Sequence, residues 1–195
     1  MVNVFEPRYL ALLDDALATD RLIGIVQPTA EAAADGESPP GKDFPLRQVG
    51  CAGRITSFTE GDDSHYMITL VGIARFALEQ EVETDEPFRL WRVGFGNYAA
   101  DFRSGDGEED VDRPRLLATL RSYLDANNLS ADWDGINGAS NERLVNTLSI
   151  LSPYGPEEKQ ALLEAPNLKE RAEALVALAE MELASPDDGS GTSLQ

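Results

Sequence analysis

The stretch "VNVFEPRYLALLDDAL", residues 2–17, decides how the first part of the chain folds. Pro7 has a fixed φ angle and no N–H group, which suits the first position of a helix, and apolar residues recur after it at helical spacing. Glu6 then lies beside the helix N-terminus, where a carboxylate is favoured, and Arg8 can reach a neighbouring acid or carbonyl. We interpret the cluster as the start of a helix and not as a reactive site. Its apolar face is predicted to consist of Tyr9, Leu10, Leu13 and Leu17.

The composition is that of a soluble globular protein with an acidic surface. Of 195 residues, 42% are hydrophobic, and 35 Asp and Glu stand against 16 Lys and Arg, which gives a formal net charge of -19. Such a surface repels phosphate groups and anionic lipids, so neither nucleic acid nor membrane is expected as the main partner. Cys51 is the only cysteine, so no intramolecular disulfide can form. Since the N-terminus also lacks the pattern of a secretory signal, a cytoplasmic protein is predicted.

Alternating apolar and polar residues predict a strand-rich first half. Residues 21–28 are expected to form a buried strand, and Gly and Asp in residues 60–65 indicate a hairpin connection. The segment after this connection is predicted to be a long strand or a bent pair, and Gly72 allows a bulge or a tight bend in it. It has apolar residues on both faces, as in a strand curled into a small barrel: Tyr66, Ile68 and Leu70 on one face, and Met67, Val71 and Ile73 on the other. Residues 29–45 are predicted to form a surface loop. The predicted strands are residues 21–28, 48–58, 65–82 and 88–98, the last with Trp91, Val93 and Phe95 on one face.

The second half is predicted to be helical. An acidic, glycine-containing stretch at residues 101–114 is expected to be a linker, because the order of its acids does not match a calcium-binding loop. Pro156 opens one helix, and Asn167 with Glu170 has the spacing of a capping box at the start of another. The predicted organisation is therefore a β-rich subdomain at 1–100, the linker at 101–114, a helical subdomain at 115–184 and a disordered tail at 185–195. Helical stripes are formed by Leu116, Leu117, Leu120 and Leu124, by Leu144, Val145, Leu148 and Leu151, and by Leu168, Ala172, Leu175, Val176, Ala179 and Leu183.

The residues predict no catalytic site, no metal site and no cofactor. His65 is the only histidine, and no serine lies in a Gly-x-Ser-x-Gly elbow. One histidine and one cysteine cannot build a structural zinc site, and the glycines of the strands form no phosphate-binding loop. Arg54 and Arg75 are unusual in predicted strands. Either they pair with buried acids, which is a structural role, or they line a groove.

The order of the segments resembles the substrate-binding domain at the N-terminus of Lon proteases, and more closely the stand-alone bacterial proteins that consist of this domain alone. The resemblance implies an α+β fold in which a PUA-like β pseudo-barrel subdomain is followed by a C-terminal helical bundle. It also implies that Phe5, Glu6, Pro7, Arg8 and Tyr9 are a structural signature at the join between an early strand and a helix. The matching segments are residues 3–17, 21–28, 49–58, 66–76 and 157–182.

The resemblance implies a non-enzymatic module that binds unfolded or partly folded polypeptide. In full-length Lon the ATPase and protease lie in later domains, so proteolysis does not carry over to this chain. A groove between the β-rich and helical halves would bind the polypeptide, with Arg54 and Arg75 as possible polar residues. The alternative is a small hydrolase on the same scaffold that uses His65 or the carboxylates.

One departure from the family concerns the N-terminus. Family members usually have a further apolar, proline-containing strand ahead of the signature, whereas Met1 stands almost directly before it here. Either the start codon lies upstream, or the barrel lacks its first strand. In the second case an open barrel edge would let another chain add to the sheet, and a homo-oligomer is expected.

Overall fold

The chain forms two compact units, Met1–Ser104 and Gly105–Gln195, in a computed structural model that describes residues 2–32, 44–61 and 65–184. The first unit is built on an antiparallel sheet and the second is helical, so the predicted α+β class is confirmed. The predicted disordered tail at 185–195 lies outside the described residues. The same holds for most of the predicted loop at 29–45 and for the centre of the connection at 60–65.

The described residues of the β-rich unit form five strands and one α-helix. The strand order is β1-β4-β3-β2, and β5 also pairs with β4. Within the part of the chain that the structure describes, β1 and β2 end this order without pairing to each other, so the sheet is open and the predicted pseudo-barrel is not confirmed. In chain order the elements are β1 (Val2–Val4), α1 (Pro7–Ala18), β2 (Leu22–Ile25), β3 (Val49–Glu60), β4 (Tyr66–Val82), β5 (Leu90–Gly94) and a 3₁₀ helix (Gly96–Phe102).

Strand β2 corrects the prediction of a buried strand. It pairs with β3 at one end of the strand order, and Leu22 and Ile25 are 41% and 50% exposed. Only Ile23 packs against the core of this unit. An apolar run therefore predicted the strand but not its burial, because burial depends on what covers each face of the sheet.

Strands β3 and β4 form the long antiparallel pair of the sheet, and irregular pairing twists them. Ala52 pairs with Ala74, whereas Gly53 pairs with Gly72, so Ile73 is an extra residue on β4. The predicted bulge beside Gly72 is confirmed. A second shift lies on β3 between residues 55 and 57. Such bulges bend a strand and increase its local twist.

The last strand is shorter than predicted. Strand β5 ends at Gly94, and residues 96–102 form a 3₁₀ helix instead of continuing the strand to residue 98. Phe95 leaves the alternation because its ring packs edge-on against Phe76 and Phe102, with centroid distances of 6.3 and 5.6 Å. Phe95 thus packs between the neighbouring strand β4 and the 3₁₀ helix at the point where β5 has ended.

Helix α1 covers one face of the sheet, and its orientation corrects the position predicted for Tyr9. Leu13 and Ala16 are the buried residues of this helix, whereas Tyr9 is 37% exposed. The Arg8 guanidinium lies 4.6 Å from the centre of the Tyr9 ring, which holds the ring at the surface. The buried cluster at α1 contains Val4, Leu13, Ala16, Ile55 and Ile68, with Leu10 and Leu17 partly buried beside it.

The helical unit contains one helix more than the sequence predicted. The additional helix, α3, is short and contains two glycines, so its apolar spacing could not be recognised. The predicted stripes are buried along most of their length, but Leu151 and Leu183 lie near helix ends and are 73% and 37% exposed. The helices are α2 (Arg113–Ala126), α3 (Trp133–Gly138), α4 (Asn141–Leu151), α5 (Pro156–Glu164) and α6 (Leu168–Ala184).

The core of this unit is apolar, and its helix starts follow the predicted capping. Pro156 occupies the first turn of α5 after Gly155. Asn167 Oδ1 accepts a hydrogen bond from the Glu170 main-chain N at 2.9 Å, and the two side chains also bond to each other, so the predicted cap is confirmed. The buried core residues are Val111, Leu116, Leu144, Val145, Leu162, Leu168, Ala172, Leu175 and Val176.

The stretch predicted as an acidic linker is bound to the start of α4. A 3₁₀ helix covers Glu108–Asp110, and Glu108 Oε1 accepts a hydrogen bond from the Glu142 main-chain N at 2.6 Å. This bond lowers the pKa of Glu108 below 4.5. Glu142 Oε2 in turn accepts from the Gly105 main-chain N at 2.8 Å. The two carboxylates therefore satisfy main-chain donors that a helix start or a turn would otherwise leave to water.

Candidate functional site

The first site candidate is the signature Phe5 to Tyr9, and the structure shows how it starts α1. Glu6 is the residue before the helix, Pro7 opens the first turn, and the Tyr9 and Leu10 main-chain N–H groups both donate to the Glu6 carbonyl at 2.9 Å. Arg8 Nε donates to Glu6 Oε2 at 3.0 Å. The neighbouring acid predicted for Arg8 is thus Glu6, and the helix start predicted at Pro7 is confirmed.

Arginine and aromatic side chains extend this signature across the β-rich unit. The Arg8 guanidinium lies over the Tyr9 ring and 6.0 Å from the centre of the Phe44 ring. On the same Phe44 ring lies the Arg89 guanidinium, at 5.9 Å, and this group is also 5.2 Å from Trp91. The resulting row links α1 to β5. This row could not be predicted from the sequence, because Phe44 and Arg89 are far from the signature in the chain.

The only histidine of the sequence lies at the edge of the signature. Phe5 is 57% exposed, and its ring centre is 5.8 Å from that of His65, which immediately precedes β4.

Arg75 pairs with an acid, Asp101, as in the first of the two readings that the sequence left open. It is 5% exposed, and its main-chain N and its Nε both donate to Asp101 Oδ2 at 2.9 Å, while Nη2 donates to Oδ1 at 2.7 Å. The guanidinium also lies 4.6 Å from the centre of the Tyr98 ring. One carboxylate thus binds both the side chain and a main-chain donor of β4, and it attaches the 3₁₀ helix Gly96–Phe102 to the strand.

Arg54, the second predicted groove residue, is exposed to solvent. It pairs with Leu22 of β2 and with Val71 of β4, so the three side chains lie in a row on one face of the sheet. All three are exposed. The opposite face carries Ile23 and Ile55, which pack in the core under α1.

We call the exposed side of these strands the outer sheet face. Leu22, Met67 and Val71 are 41%, 49% and 51% exposed on it, so apolar atoms of these three residues contact water beside the Arg54 side chain. Met67 and Val71 had been predicted to lie on the second face of a curled strand; the structure puts them on an uncovered face instead. The members of the outer sheet face are Asn3, Leu22, Arg54, Ser57, Thr59, Met67, Thr69 and Val71, which pair in rows across β1 to β4.

The helical unit has a different concave feature, a cavity of about 30 Å³ between α2, α4 and α6. Its wall contains leucines of all three helices, and Tyr123 and Tyr154 contribute polar groups. A cavity of this size can hold the end of one side chain but not a small-molecule ligand, since sites for small molecules are about 300 Å³ or larger.

Two kinds of site are not found in the part of the chain that is described. Among residues 2–32, 44–61 and 65–184, no group of three or more His, Cys, Asp or Glu could hold a metal ion. A search of the same residues finds no helix that is both long and apolar enough to cross a membrane.

Solved structures of Lon N-terminal domains have the same fold. A Lon N-terminal domain protein from Xanthomonas campestris matches with a TM-score of 0.57 and 20% identity, over 90% of this chain and 86% of that chain. The N-terminal domain of Mycobacterium avium complex Lon protease matches with a TM-score of 0.53 and 17% identity, over 82% and 89% of the two chains.

Two Lon proteases are also similar in sequence. The protein of Flavobacterium johnsoniae is 25% identical over 177 residues, and that of Syntrophus aciditrophicus is 24% identical over 196 residues. The chain spans 20% and 24% of the length of these relatives. The family model for the ATP-dependent protease La (LON) substrate-binding domain matches residues 1–180. The resemblance inferred from the segments is thereby confirmed, and the chain belongs to the LON substrate-binding domain family.

Proposed function

We propose that this chain is a non-enzymatic module that binds unfolded or partly folded polypeptide, and that the outer sheet face is its binding surface. The observation that carries the proposal is the match of a substrate-binding domain model to residues 1–180. Because the substrate of a protease is a polypeptide, a domain that binds such substrates has to recognise polypeptide chains. The fold shared with two Lon N-terminal domains supports this reading.

The chemistry of the outer sheet face fits an unfolded chain. Leu22, Met67 and Val71 are exposed, so covering them with apolar side chains removes nonpolar surface from water on both partners. Arg54 lies in the same row and presents a fork of N–H donors, which a main-chain carbonyl or a carboxylate of the bound segment can accept from. Folded proteins bury most of their apolar side chains, so the surface favours chains that have not folded.

We also propose that the protein has no catalytic activity and is located in the cytoplasm. The sequence contains no Walker-type loop and no recognisable pair of nucleophile and base. Purified protein is expected to show neither ATP hydrolysis nor casein cleavage. An activity that co-purifies with the protein and vanishes on mutation of a residue of this chain would contradict this part of the proposal.

A further part of the proposal concerns the open edge of the sheet. Strand β1 is three residues long and pairs with β4, and its Val2 is 45% exposed. A strand paired to the outer edge of β1 would close the predicted PUA-like pseudo-barrel, and that edge has main-chain donors and acceptors with which a second copy could pair. We therefore expect light scattering to detect a dimer whose fraction grows with protein concentration. A monomer at every concentration would contradict this expectation.

Fluorescence anisotropy tests the proposed function itself. The probe is a labelled, reduced and carboxymethylated α-lactalbumin, which cannot refold, and the matched control is the same protein in its native, disulfide-bonded form. We expect saturable binding of the unfolded probe and at least about tenfold weaker binding of the native one, since only the former exposes extended apolar segments. Equal affinities for the two forms, or no binding of either, would contradict the proposal.

A further inference from the structure

The cavity of the helical unit combines an apolar wall with polar groups at one side. Tyr123 on α2 and Tyr154 after α4 contribute to its lining together with Thr119 and Ser152. The remaining lining residues are aliphatic, so the aliphatic part of a bound side chain would contact hydrocarbon. These residues are Leu116, Leu120, Leu148, Leu175, Val176 and Ala179.

A carboxylate stands beside the two tyrosines. The Tyr123 hydroxyl donates a hydrogen bond to Glu182 Oε1 at 3.3 Å, and Glu182 itself is exposed near the end of α6. Burial raises the pKa of Tyr123 to about 12, with the Glu182 charge as the second cause. The same two causes raise the pKa of Tyr154. Both phenols therefore remain neutral donors at neutral pH, and the local charge is negative.

This combination suits a long side chain that carries a positive charge. Lysine and arginine have an aliphatic stem that packs on apolar surface while the charged head reaches a polar rim. A cation is attracted by the faces of tyrosine rings and by a carboxylate. The formal net charge of -19 favours the approach of basic segments over acidic ones. An aspartate or glutamate side chain would meet Glu182 with like charge.

The neighbouring surface would accept apolar residues of the same segment. Ile150 and Leu151 are 71% and 73% exposed, and they directly precede Ser152 of the cavity lining. An extended polypeptide with an apolar residue next to a lysine or arginine could therefore cover them while the basic side chain enters the cavity.

We propose that this cavity is a binding site for one lysine or arginine side chain of an apolar, basic polypeptide segment, with Glu182 as the counter-charge and Tyr123 and Tyr154 as the aromatic rim. The inference rests on the proposed function only in that the side chain belongs to a polypeptide. It needs the helical unit and not the outer sheet face, so either site can fail without the other.

The test compares two short peptides that differ in a single charge. The acetylated tripeptide amides Leu-Lys-Leu and Leu-norleucine-Leu are titrated into the full chain, and NMR follows the ring signals of Tyr123 and Tyr154. We expect the lysine peptide to shift both rings saturably and to bind about fivefold more tightly than the norleucine peptide. Glu182→Gln should reduce this preference to about twofold or less, because the counter-charge is then lost.

Two further variants serve as controls. Glu180→Gln, which changes an exposed acid two residues away on α6 that pairs with Arg115, should retain the preference for lysine. A change on the outer sheet face, Met67→Ser with Val71→Ser, should also retain it.

Three results would overturn the inference. These are equal binding of the two peptides by the wild-type chain, an unchanged preference in Glu182→Gln, and loss of lysine binding in the outer sheet face variant alone. The last result would move the peptide to the outer sheet face and would leave the proposed function standing.

Discussion

The two units of this chain are stabilised in different ways. In the β-rich unit, the buried arginine Arg75 is held by Asp101, and arginines alternate with aromatic rings along the surface from Tyr9 to Trp91. The helical unit instead has a large apolar core, in which Val145 and Leu162 are 0% and 1% exposed. Polar groups there serve mainly at helix starts, as Asn167 does for α6.

The two units also differ in where they expose apolar residues. The helical unit exposes Ile150 and Leu151 at the end of α4, whereas the β-rich unit exposes Leu22, Met67 and Val71 together on the outer sheet face. Helix α1 packs on the other face of this sheet, and the outer sheet face is the surface that we propose for binding polypeptide.

The largest loss of stability is expected when the Arg75–Asp101 pair of the β-rich unit is broken. Asp101→Ala strands a buried guanidinium, and removing one partner of a buried pair costs about 3–5 kcal/mol. Denaturant unfolding measures the loss. The control is Glu180→Ala, which breaks the exposed pair with Arg115 and should change stability by less than about 1 kcal/mol. Equal losses in the two variants would show that the Arg75 pair is no more important than a surface pair.

The apolar core of the helical unit gives the next effect. Leu162→Ala removes a side chain that is 1% exposed and should cost about 3 kcal/mol through lost burial and the resulting cavity. Leu151→Ala is the matched control, because this leucine is 73% exposed and should cost less than about 0.5 kcal/mol. The account of this core is wrong if unfolding free energies change equally in both variants.

A smaller loss of stability is expected for the signature residue Tyr9 than for a core residue of the same helix. Tyr9→Ala removes a partly exposed ring and its contact with Arg8, and we expect a loss of about 1 kcal/mol. Leu13→Ala in the same helix should cost about 3 kcal/mol because Leu13 is 2% exposed. If thermal melts show a larger loss for Tyr9→Ala than for Leu13→Ala, α1 packs on the sheet with its other face.

The smallest effect depends on pH. The hydrogen bond from the Glu142 main-chain N lowers the pKa of Glu108, so the folded state favours the ionised carboxylate. This contribution is present above the unfolded value of about 4.5 and is lost as the pH falls through the lowered folded value. Glu108→Gln should therefore melt below the wild type at pH 7 and approach it in acid. Parallel melting curves from pH 7 down to pH 3 would contradict the assignment.

The sequence predicted the core of the helical unit better than the contacts of the β-rich unit, and the reason is physical. Helical spacing identified Leu144, Val145 and Leu175 as core residues, because neighbours on a helix face are three or four residues apart. The partner of Arg75 could not be read in this way, since Asp101 lies 26 residues further along the chain. The same limit applies to the outer sheet face. Arg54 was identified as a candidate, but the row with Leu22 and Val71 depends on strand register, which a bulge changes.

Two matched double variants test the central claim, that the outer sheet face binds unfolded polypeptide, most directly. Met67→Ser with Val71→Ser removes apolar atoms from that face, and Val82→Ser with Leu90→Ser removes them from an exposed pair at the far end of β4, where the residues are 42% and 40% exposed. The labelled, carboxymethylated α-lactalbumin is titrated into both variants and the wild type. We predict that the first variant binds about tenfold more weakly and that the second binds like the wild type, because only the first loses buried apolar contacts. Wild-type affinity in the first variant, or equal losses in both, would contradict the claim.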